Sequence, residues 1–246
     1  MDEALRLLGR KQPKTVPMGG GCVLKAENGE KVAVVDLQQL GLDSIGCKSS
    51  TLRIGAAATP QVLLKTKGLP PALAKAIGIE GGKDQCPSAT VAGTLVAADG
   101  CSAFTTAVLA MDAVLVLQPG DEEYPLGELL PLREMLLQGR LISEVQLSLK
   151  AALAFESAYN TSADLPLMIV AAARWPSGRT RIVLGGWGRA PMMVVDGKDE
   201  NDVLPAIENA AMQAADQRGT AEYAPKQQRS CSGAACSHWK NQPVRS

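Results

Sequence analysis

The hydrophobic positions of the first 150 residues follow two different periods, which predicts interleaved helices and strands. Apolar side chains at helical spacing predict helices over residues 2–8, 60–65, 71–77 and 102–111. Apolar runs and period-two alternation predict strands over residues 31–37, 51–57, 112–117 and 141–149. Between Gly78 and Ala98 neither period holds, and the glycine, proline and polar residues there predict a loop.

A different order of elements begins near residue 151. Strand-like runs cover residues 165–174, 180–184 and 191–195, and a helical run extends from Asp202 to about Gln217. Three strands followed by a helix predict a smaller α+β domain with a three-stranded antiparallel sheet. We therefore place a domain boundary near residue 150. The predicted units are an α+β domain over residues 1–150, the smaller α+β domain over 151–223 and an irregular basic tail over 224–246.

Composition and charge exclude several classes of function. The 246 residues carry 25 basic and 25 acidic side chains, and the bases of the tail leave the rest of the chain slightly acidic. Such a balance offers no basic field to nucleic acid. The longest apolar runs, Leu165–Ala173 and Val108–Leu117, are shorter than the roughly 18–20 residues that a membrane helix needs. We expect neither a nucleic-acid partner nor a membrane span.

The termini and the cysteines predict the cellular setting. The acidic start Met1-Asp2-Glu3 is unlike a secretory signal, which predicts a cytoplasmic location. Six cysteines, single except for the last pair, predict reduced thiols. Cys231, Cys236 and His238 supply one ligand fewer than a structural zinc needs, so we predict no metal site. His238 is the sole histidine and lies in the aperiodic tail, so no imidazole base is expected.

Two loops have a composition suited to an anion. The first, Pro17–Leu24, contains Gly19-Gly20-Gly21, and the second, Ser88–Asp99, contains Gly93. Glycine permits a positive φ and lets successive N–H groups converge on a phosphate. The alternative is that the triple glycine is only a turn, since such short motifs often are. Neither loop is an ATP-type phosphate loop or a dinucleotide-binding Gly-x-Gly-x-x-Gly.

The order of these motifs resembles the FAD-binding subunit of the molybdenum hydroxylases, the xanthine dehydrogenase and carbon monoxide dehydrogenase family. Between the two loops lies Ile54-Gly55-Ala56-Ala57-Ala58-Thr59, which is similar to the strand motif of that family. Further similar segments follow the second loop, and the resemblance extends over residues 2–223. These segments are Met111–Leu117, Leu141–Val145, Ala163–Pro166 and Leu184–Gly186.

The resemblance implies a two-subdomain FAD-binding fold of the PCMH type, with subdomains over about residues 1–56 and 57–150. FAD would lie between them with its pyrophosphate on the glycine loops. The implied cofactor contacts are Met18, Gly19, Gly20, Gly21, Cys22, Val23, Leu24, Thr59, Thr90, Ala92, Gly93, Thr94, Ala98, Asp99 and Ile142. The chain would be an FAD-dependent oxidoreductase subunit without a catalytic side chain of its own. Its implied partners are an iron-sulfur subunit and a molybdopterin-binding subunit.

Several positions depart from the family pattern. Thr94 stands where the family has Asn, Ala92 where it has Gly, and Ala103 where it has Asp. Two polar residues also allow two interpretations each. Thr59 either contacts the cofactor or only precedes Pro60 in an extended conformation. Asp99 either contacts the cofactor or caps the helix that begins near Ser102.

These departures leave two alternatives to the electron-transfer subunit. One is a degenerate relative that has lost the flavin and acts as an interaction or assembly protein. The other is a free-standing flavin oxidoreductase that needs no partner subunits. A flavin oxidoreductase would turn over an electron acceptor unaided, whereas a degenerate relative would purify without a flavin.

Overall fold

The computed structural model of the chain describes residues 1–22, 32–81, 86–159, 165–198, 205–207 and 210. The helices of this part are α1 Asp2–Leu8, α2 Pro60–Leu64, α3 Pro71–Glu80, α4 Val91–Ala97, α5 Ala103–Ala110 and α6 Leu126–Leu136. The strands are β1 Thr15–Met18, β2 Ala33–Asp36, β3 Ile45–Lys48, β4 Thr51–Gly55, β5 Val114–Gln118, β6 Glu122–Pro125, β7 Leu141–Ser148, β8 Ala152–Ala158, β9 Met168–Arg174, β10 Thr180–Gly185 and β11 Met192–Gly197. No helix in these ranges is long and apolar enough to cross a membrane.

Two compact units share these elements, and they interleave along the chain. The first unit comprises the described parts of Met1–Lys67, Lys83–Ala97 and Ala113–Leu147. The second comprises the described parts of Gly68–Gly82, Ala98–Asp112 and residues 148–246. Helices α3 and α5 therefore group with the strands that follow residue 148. The domain boundary that the sequence predicts near residue 150 stays a prediction.

The first unit contains two sheets. Strands β1 and β2 form a parallel pair, in which Val16 is opposite Val34. A five-stranded sheet has the order β3-β4-β7-β5-β6. Helix α1 covers the parallel pair through a small apolar cluster that includes Ala4, Leu8 and Val35. The first glycine loop directly follows β1, so the hydrogen bonds between β1 and β2 hold the start of this loop.

The second unit is built on a four-stranded antiparallel sheet of order β11-β10-β9-β8. The buried side chains of this sheet pack with Ile207 and Ala210, which belong to a helical segment. Helix α5 is buried along its whole length, and its apolar sequence suits that position. Lys75 of α3 reaches Glu156 of β8 at 2.8 Å, which ties α3 to the edge of the same sheet.

An ion-pair cluster fixes the end of α5 to this sheet. The guanidinium of Arg181 lies 2.7 Å from both Asp112 and Asp196, with only 8 % of its side chain exposed. It also donates to the carbonyl of Leu109, in the last turn of α5, at 3.3 Å. Arg179 contacts the same two carboxylates and stacks on the ring of Trp175.

The fold class and most predicted elements are confirmed. The short strands β1, β3 and β6 were not predicted, and four further corrections follow. Helix α3 continues through Gly78 to Glu80, because an interior glycine costs only about 1 kcal/mol and does not by itself end a helix. The predicted loop after Gly78 is wrong for α4, whose Val91 and Leu95 are buried. The sheet of the second unit has a fourth strand, β8, so the prediction of a three-stranded sheet after residue 150 is wrong. Helix α6 was not predicted, because the interior Pro131 is unfavourable in a helix and argues against one.

Some predictions fall on residues outside the described ranges. Of the predicted helix over 202–217, residues 205–207 and 210 are described and are helical. The basic tail over 224–246, with Cys231, Cys236 and His238, lies outside the described residues.

Candidate functional site

The first glycine loop follows directly from β1. The ladder to β2 ends where the N–H of Leu37 donates to the carbonyl of Met18 at 3.0 Å. In the ranges that the structure describes, no residue accepts a hydrogen bond from the N–H groups of Gly19, Gly20 or Gly21. Gly21 has a φ of 71°, which a residue with a side chain adopts only with strain. Three successive donors without a described acceptor form the kind of group that binds a phosphate oxygen.

The two glycine loops pack against each other. A Cβ atom added to Gly20 would overlap the backbone carbonyl of Ser88, and one added to Gly19 would lie 2.8 Å from the Oγ1 of Thr90. The hydroxyl of Ser88 donates to the carbonyl of Gly20 at 2.9 Å. Glycine is therefore required at residues 19 and 20 for the approach of one loop to the other.

A disulfide joins the first loop to the residues that lead into the second loop. It links Cys22, directly after the triple glycine, to Cys86, whose Cα atom lies 5.8 Å from that of Cys22. The prediction of reduced thiols is wrong for this pair. The two cysteines are 64 positions apart, so the pair cannot be recognised in the sequence, and only the tertiary packing brings them together.

The N–H groups at the start of α4, in the second loop, already have acceptors within the chain. The N–H groups of Val91 and Ala92 donate to the carbonyls of Ala58 and Ala56, at 2.8 and 3.1 Å. Thr90 is buried, and its Oγ1 accepts from the N–H of Gly93 at 3.1 Å. These bonds attach the start of α4 to the segment that follows β4. The first loop, rather than α4, keeps the N–H groups that have no acceptor in the described ranges.

Two of the family departures have a structural consequence. The hydroxyl of Thr94 donates to the carbonyl of Thr90 at 3.0 Å, inside its own helix. The methyl group of Ala92 is buried. Neither side chain therefore offers an outward hydrogen-bond donor.

The remaining predicted cofactor contacts differ in burial and in hydrogen bonding. The Oγ1 of Thr59 accepts from the N–H of Val62 at 3.3 Å, so Thr59 is the extended N-cap of α2. Ile142 is 4 % exposed in β7, which places its side chain in the core. Ala98 is buried and Asp99 exposed, and both belong to the second unit, whereas Gly19-Gly20-Gly21 and Gly93 belong to the first. Val23 and Leu24 lie outside the described residues.

Asp99 does not cap α5. Its carboxylate accepts from the N–H of Cys101 at 2.8 Å, whereas the N-cap is Ser102, whose Oγ accepts from the N–H of Thr105 at 3.2 Å. The segment around Gly100 contacts the glycines that follow β10. The N–H of Gly186 donates to the carbonyl of Gly100 at 2.6 Å.

Glu80 is a polar residue that the sequence analysis missed. Its carboxylate accepts from the N–H of Phe104 at 3.1 Å and from the hydroxyl of Ser102 at 3.0 Å, at the start of α5. Burial raises the pKa of Glu80, and these two hydrogen bonds offset part of that rise. In the family pattern an acid stands at position 103, and Glu80 supplies a carboxylate to the helix start that Ala103 lacks. The available signal was an acid three residues after the predicted helix over 71–77.

Comparison with known proteins assigns the chain to a family. The model of the family described as "FAD binding domain in molybdopterin dehydrogenase" matches residues 1–148. The chain belongs to this family. FAD is therefore its cofactor, and the chain is an FAD-binding subunit of the molybdenum hydroxylase type, a class of oxidoreductase subunit. The resemblance found in the sequence and the cofactor that it implied are confirmed.

The chain is also similar to individual proteins, in sequence to one and in fold to others. The chain is 27 % identical over 232 residues to the uncharacterized protein YgfM of Escherichia coli K12, which covers 91 % of this chain and 87 % of that protein. The fold is similar to reconstituted CO dehydrogenase from Oligotropha carboxidovorans, with a TM-score of 0.78, 19 % identity, and coverage of 98 % of this chain and 95 % of that one. Quinoline 2-oxidoreductase from Pseudomonas putida 86 is also similar, with a TM-score of 0.73, 15 % identity, and coverage of 97 % and 93 %.

The residues of the first loop fit a pyrophosphate. Their N–H groups have no acceptor in the described ranges, and no side chain interrupts Gly19-Gly20-Gly21. The disulfide and the hydroxyl of Ser88 hold this loop beside the second one. This arrangement can bind and orient an anion.

Proposed function

We propose that this chain is the FAD-binding electron-transfer subunit of a molybdenum-containing hydroxylase, and that it accepts electrons from an iron-sulfur partner subunit. The observation that carries the proposal is the row of N–H groups at Gly19-Gly20-Gly21, in a chain of the FAD-binding family. A dinucleotide with a pyrophosphate matches such a row better than a mononucleotide does. A cytoplasmic location stays a prediction.

Binding and orientation are the tasks of this chain's residues. The N–H groups of the first loop would donate to the pyrophosphate oxygens. The side chains of Ser88 and Thr90 would position that loop through Gly20 and Gly19, and Gly93 would keep the second loop close. When bound, the isoalloxazine of FAD supplies the redox chemistry. No proton transfer by a protein side chain is required.

The departures from the family pattern lower the expected affinity for FAD. Thr94 uses its hydroxyl inside α4, and Ala92 has no polar side-chain atom. Each missing hydrogen bond would weaken binding by about 1 kcal/mol. This observation favours the flavin-free relative as a second candidate, and a titration with FAD separates the two.

An exposed apolar pair on α6 supports the proposal of a partner subunit. Leu132 and Met135 lie three residues apart, so they share one face of the helix, and they are 50 % and 64 % exposed. Exposed apolar side chains that adjoin each other are common at protein interfaces. We assign this face to contact with an iron-sulfur or molybdopterin-binding subunit, which would carry the metal centres.

Titration of the purified chain with FAD and FMN tests the cofactor site. We expect saturable binding of FAD, with affinity at least about tenfold higher than for FMN, because FMN lacks the pyrophosphate. Equal affinities would contradict the assignment of the glycine loops. Absence of binding would favour the flavin-free relative.

Affinity purification of a tagged chain from its native source tests the partners. We expect an iron-sulfur subunit and a larger molybdopterin-binding subunit to co-purify. The double variant Leu132→Glu/Met135→Glu should lose them and keep FAD, whereas Val62→Glu, at an exposed apolar residue of α2, should retain both. Unaided turnover of a reduced nicotinamide by the isolated chain would instead show a free-standing oxidoreductase.

A further inference from the structure

We propose that Cys22 and Cys86 form a reversible thiol–disulfide site that controls the affinity of the chain for FAD. The inference rests on the proposed function, since it places the flavin pyrophosphate on the glycine loops. It goes beyond that function because it assigns a redox reaction of the protein itself. The reactant would be a dithiol reductant, with a small disulfide as the oxidant for the reverse reaction.

The position of the bond connects it to the cofactor site. Cys22 directly follows Gly19-Gly20-Gly21, and Cys86 lies two residues before Ser88. The disulfide therefore joins the first loop to the residues that lead into the second, next to the contact between Gly20 and Ser88. Any change in this bond acts on the relative position of the two loops rather than on a distant element.

The two cysteines differ in exposure. Cys22 is exposed, whereas Cys86 is partly buried. We expect the thiolate of a dithiol to attack the Sγ of Cys22, so that Cys86 leaves as a thiolate. The second thiol of the reductant then attacks the mixed disulfide and releases Cys22. In sum, two electrons and two protons pass from the dithiol to the protein, and the reductant becomes a disulfide.

Ser88 connects the state of the sulfurs to the first loop. Its hydroxyl lies 3.5 Å from the Sγ of Cys22 and 3.1 Å from the Sγ of Cys86, and it donates to the carbonyl of Gly20. A single hydroxyl hydrogen cannot serve two acceptors fully. After reduction, the thiol of either cysteine can donate to the oxygen of Ser88 or of Gly20, and the Sγ of Cys22 lies 3.5 Å from the carbonyl of Gly20, so the thiols compete with the Ser88–Gly20 hydrogen bond. Reduction therefore removes the covalent link and weakens the hydrogen bond beside it.

The direction of the effect follows from preorganisation. With the disulfide intact, the two loops are already held together before the ligand binds. With the dithiol, part of the binding free energy must order the loops. We expect FAD to bind the reduced protein about tenfold more weakly than the oxidised protein.

The test uses the full-length wild-type chain in two redox states. One sample is oxidised with glutathione disulfide and the other is reduced with a phosphine, and both are desalted before oxidised FAD is added. Flavin fluorescence gives the Kd in each state. Alkylation and tryptic mapping follow the peptide Thr15–Lys25, which contains Cys22, and the peptide that contains Cys86. We expect the two peptides to be joined only in the oxidised sample, and the Kd to rise about tenfold on reduction.

Single variants provide a matched control. Cys22→Ser and Cys86→Ser should each bind FAD like the reduced wild type and should not respond to oxidant. Cys47→Ser, at an exposed free cysteine of β3, should respond like the wild type. Equal FAD affinity in both states of the wild type would overturn the inference and leave the proposed function intact. Failure of the Cys22 and Cys86 peptides to join would also overturn it. Failure of FAD to bind in either state would overturn both.

Discussion

The hydroxyl of Ser88 donates a hydrogen bond to the carbonyl of Gly20 at 2.9 Å, across 68 residues of sequence. This bond lies where the backbones of the two glycine loops come closest. It explains why a side chain is not tolerated at Gly20, and it places the Cys22–Cys86 disulfide beside the same contact. The loops therefore form one local structure rather than two separate turns.

Gly20→Val should abolish tight FAD binding. A Cβ at residue 20 would overlap the carbonyl of Ser88, so the two loops must separate. We expect the Kd for FAD to rise about 100-fold or more, since the preorganised arrangement is lost. Gly46→Val is the control, because Gly46 of β3 has no atom within 4 Å of an added Cβ and has no positive φ. Unchanged flavin affinity in Gly20→Val would show that the loop contact does not serve the cofactor.

Thr94→Asn should raise the affinity for FAD. The hydroxyl of Thr94 is used by the carbonyl of Thr90, whereas the amide of the family's Asn offers a further donor and acceptor. We expect the Kd to fall about fivefold, which corresponds to about 1 kcal/mol. Thr94→Val removes the hydroxyl and adds no donor, so it should bring no gain in titrations of the same kind. If Asn and Val bind FAD alike, position 94 does not contact the ligand.

Glu80→Gln should change the pH dependence of stability. Burial raises the pKa of Glu80 in the folded protein, so its stabilising contribution is present in the protonated form and is lost as the pH rises through the folded pKa. Glutamine keeps an acceptor for the N–H of Phe104 and carries no charge. We expect the Tm of the variant, relative to the wild type, to increase from about pH 4 to about pH 7. Thermal unfolding at several pH values measures this difference.

Asp196→Asn should change the pH dependence of stability in the opposite direction. Hydrogen bonding from Arg179 lowers the pKa of Asp196, so its contribution to stability is present above the unfolded pKa and is lost as the pH falls through the folded one. The deficit of this variant should therefore be greatest near neutral pH and should shrink in acid. A difference in Tm that does not vary with pH in either variant would contradict the assigned pKa directions.

Arg181→Met should destabilise the protein more than Arg179→Met. Arg181 is almost fully buried between Asp112 and Asp196, and its removal leaves two carboxylates with one cation fewer. We expect a loss of about 3 kcal/mol in the free energy of unfolding. Arg179 is 35 % exposed, so its loss should cost about 1 kcal/mol. Denaturant unfolding of both variants gives the comparison, and equal losses would contradict the role of burial.

Local sequence patterns were sufficient for most elements and for the family. Helix α5 follows from the apolar run after Ser102, and β5 follows from Val114 to Leu117, because a helix or a strand with a buried face repeats its apolar residues at a fixed period. The same patterns failed at α4, where Gly93 and Thr94 have low helix propensity and the bonds to Ala56 and Ala58 outweigh that preference.

The sequence by itself determined that two glycine loops flank a strand in the order of the FAD-binding family, because composition and spacing are local properties. Only the tertiary structure decided that Cys22 and Cys86 meet, that the hydroxyl of Thr94 points to Thr90, and that Glu80 serves the start of α5. The first and third relationships depend on the packing of separate elements, and the bond from Thr94 depends on the formation of α4 at that position. Contacts between elements that are distant along the chain leave no periodic signal in a single sequence, because they arise only when the elements pack together.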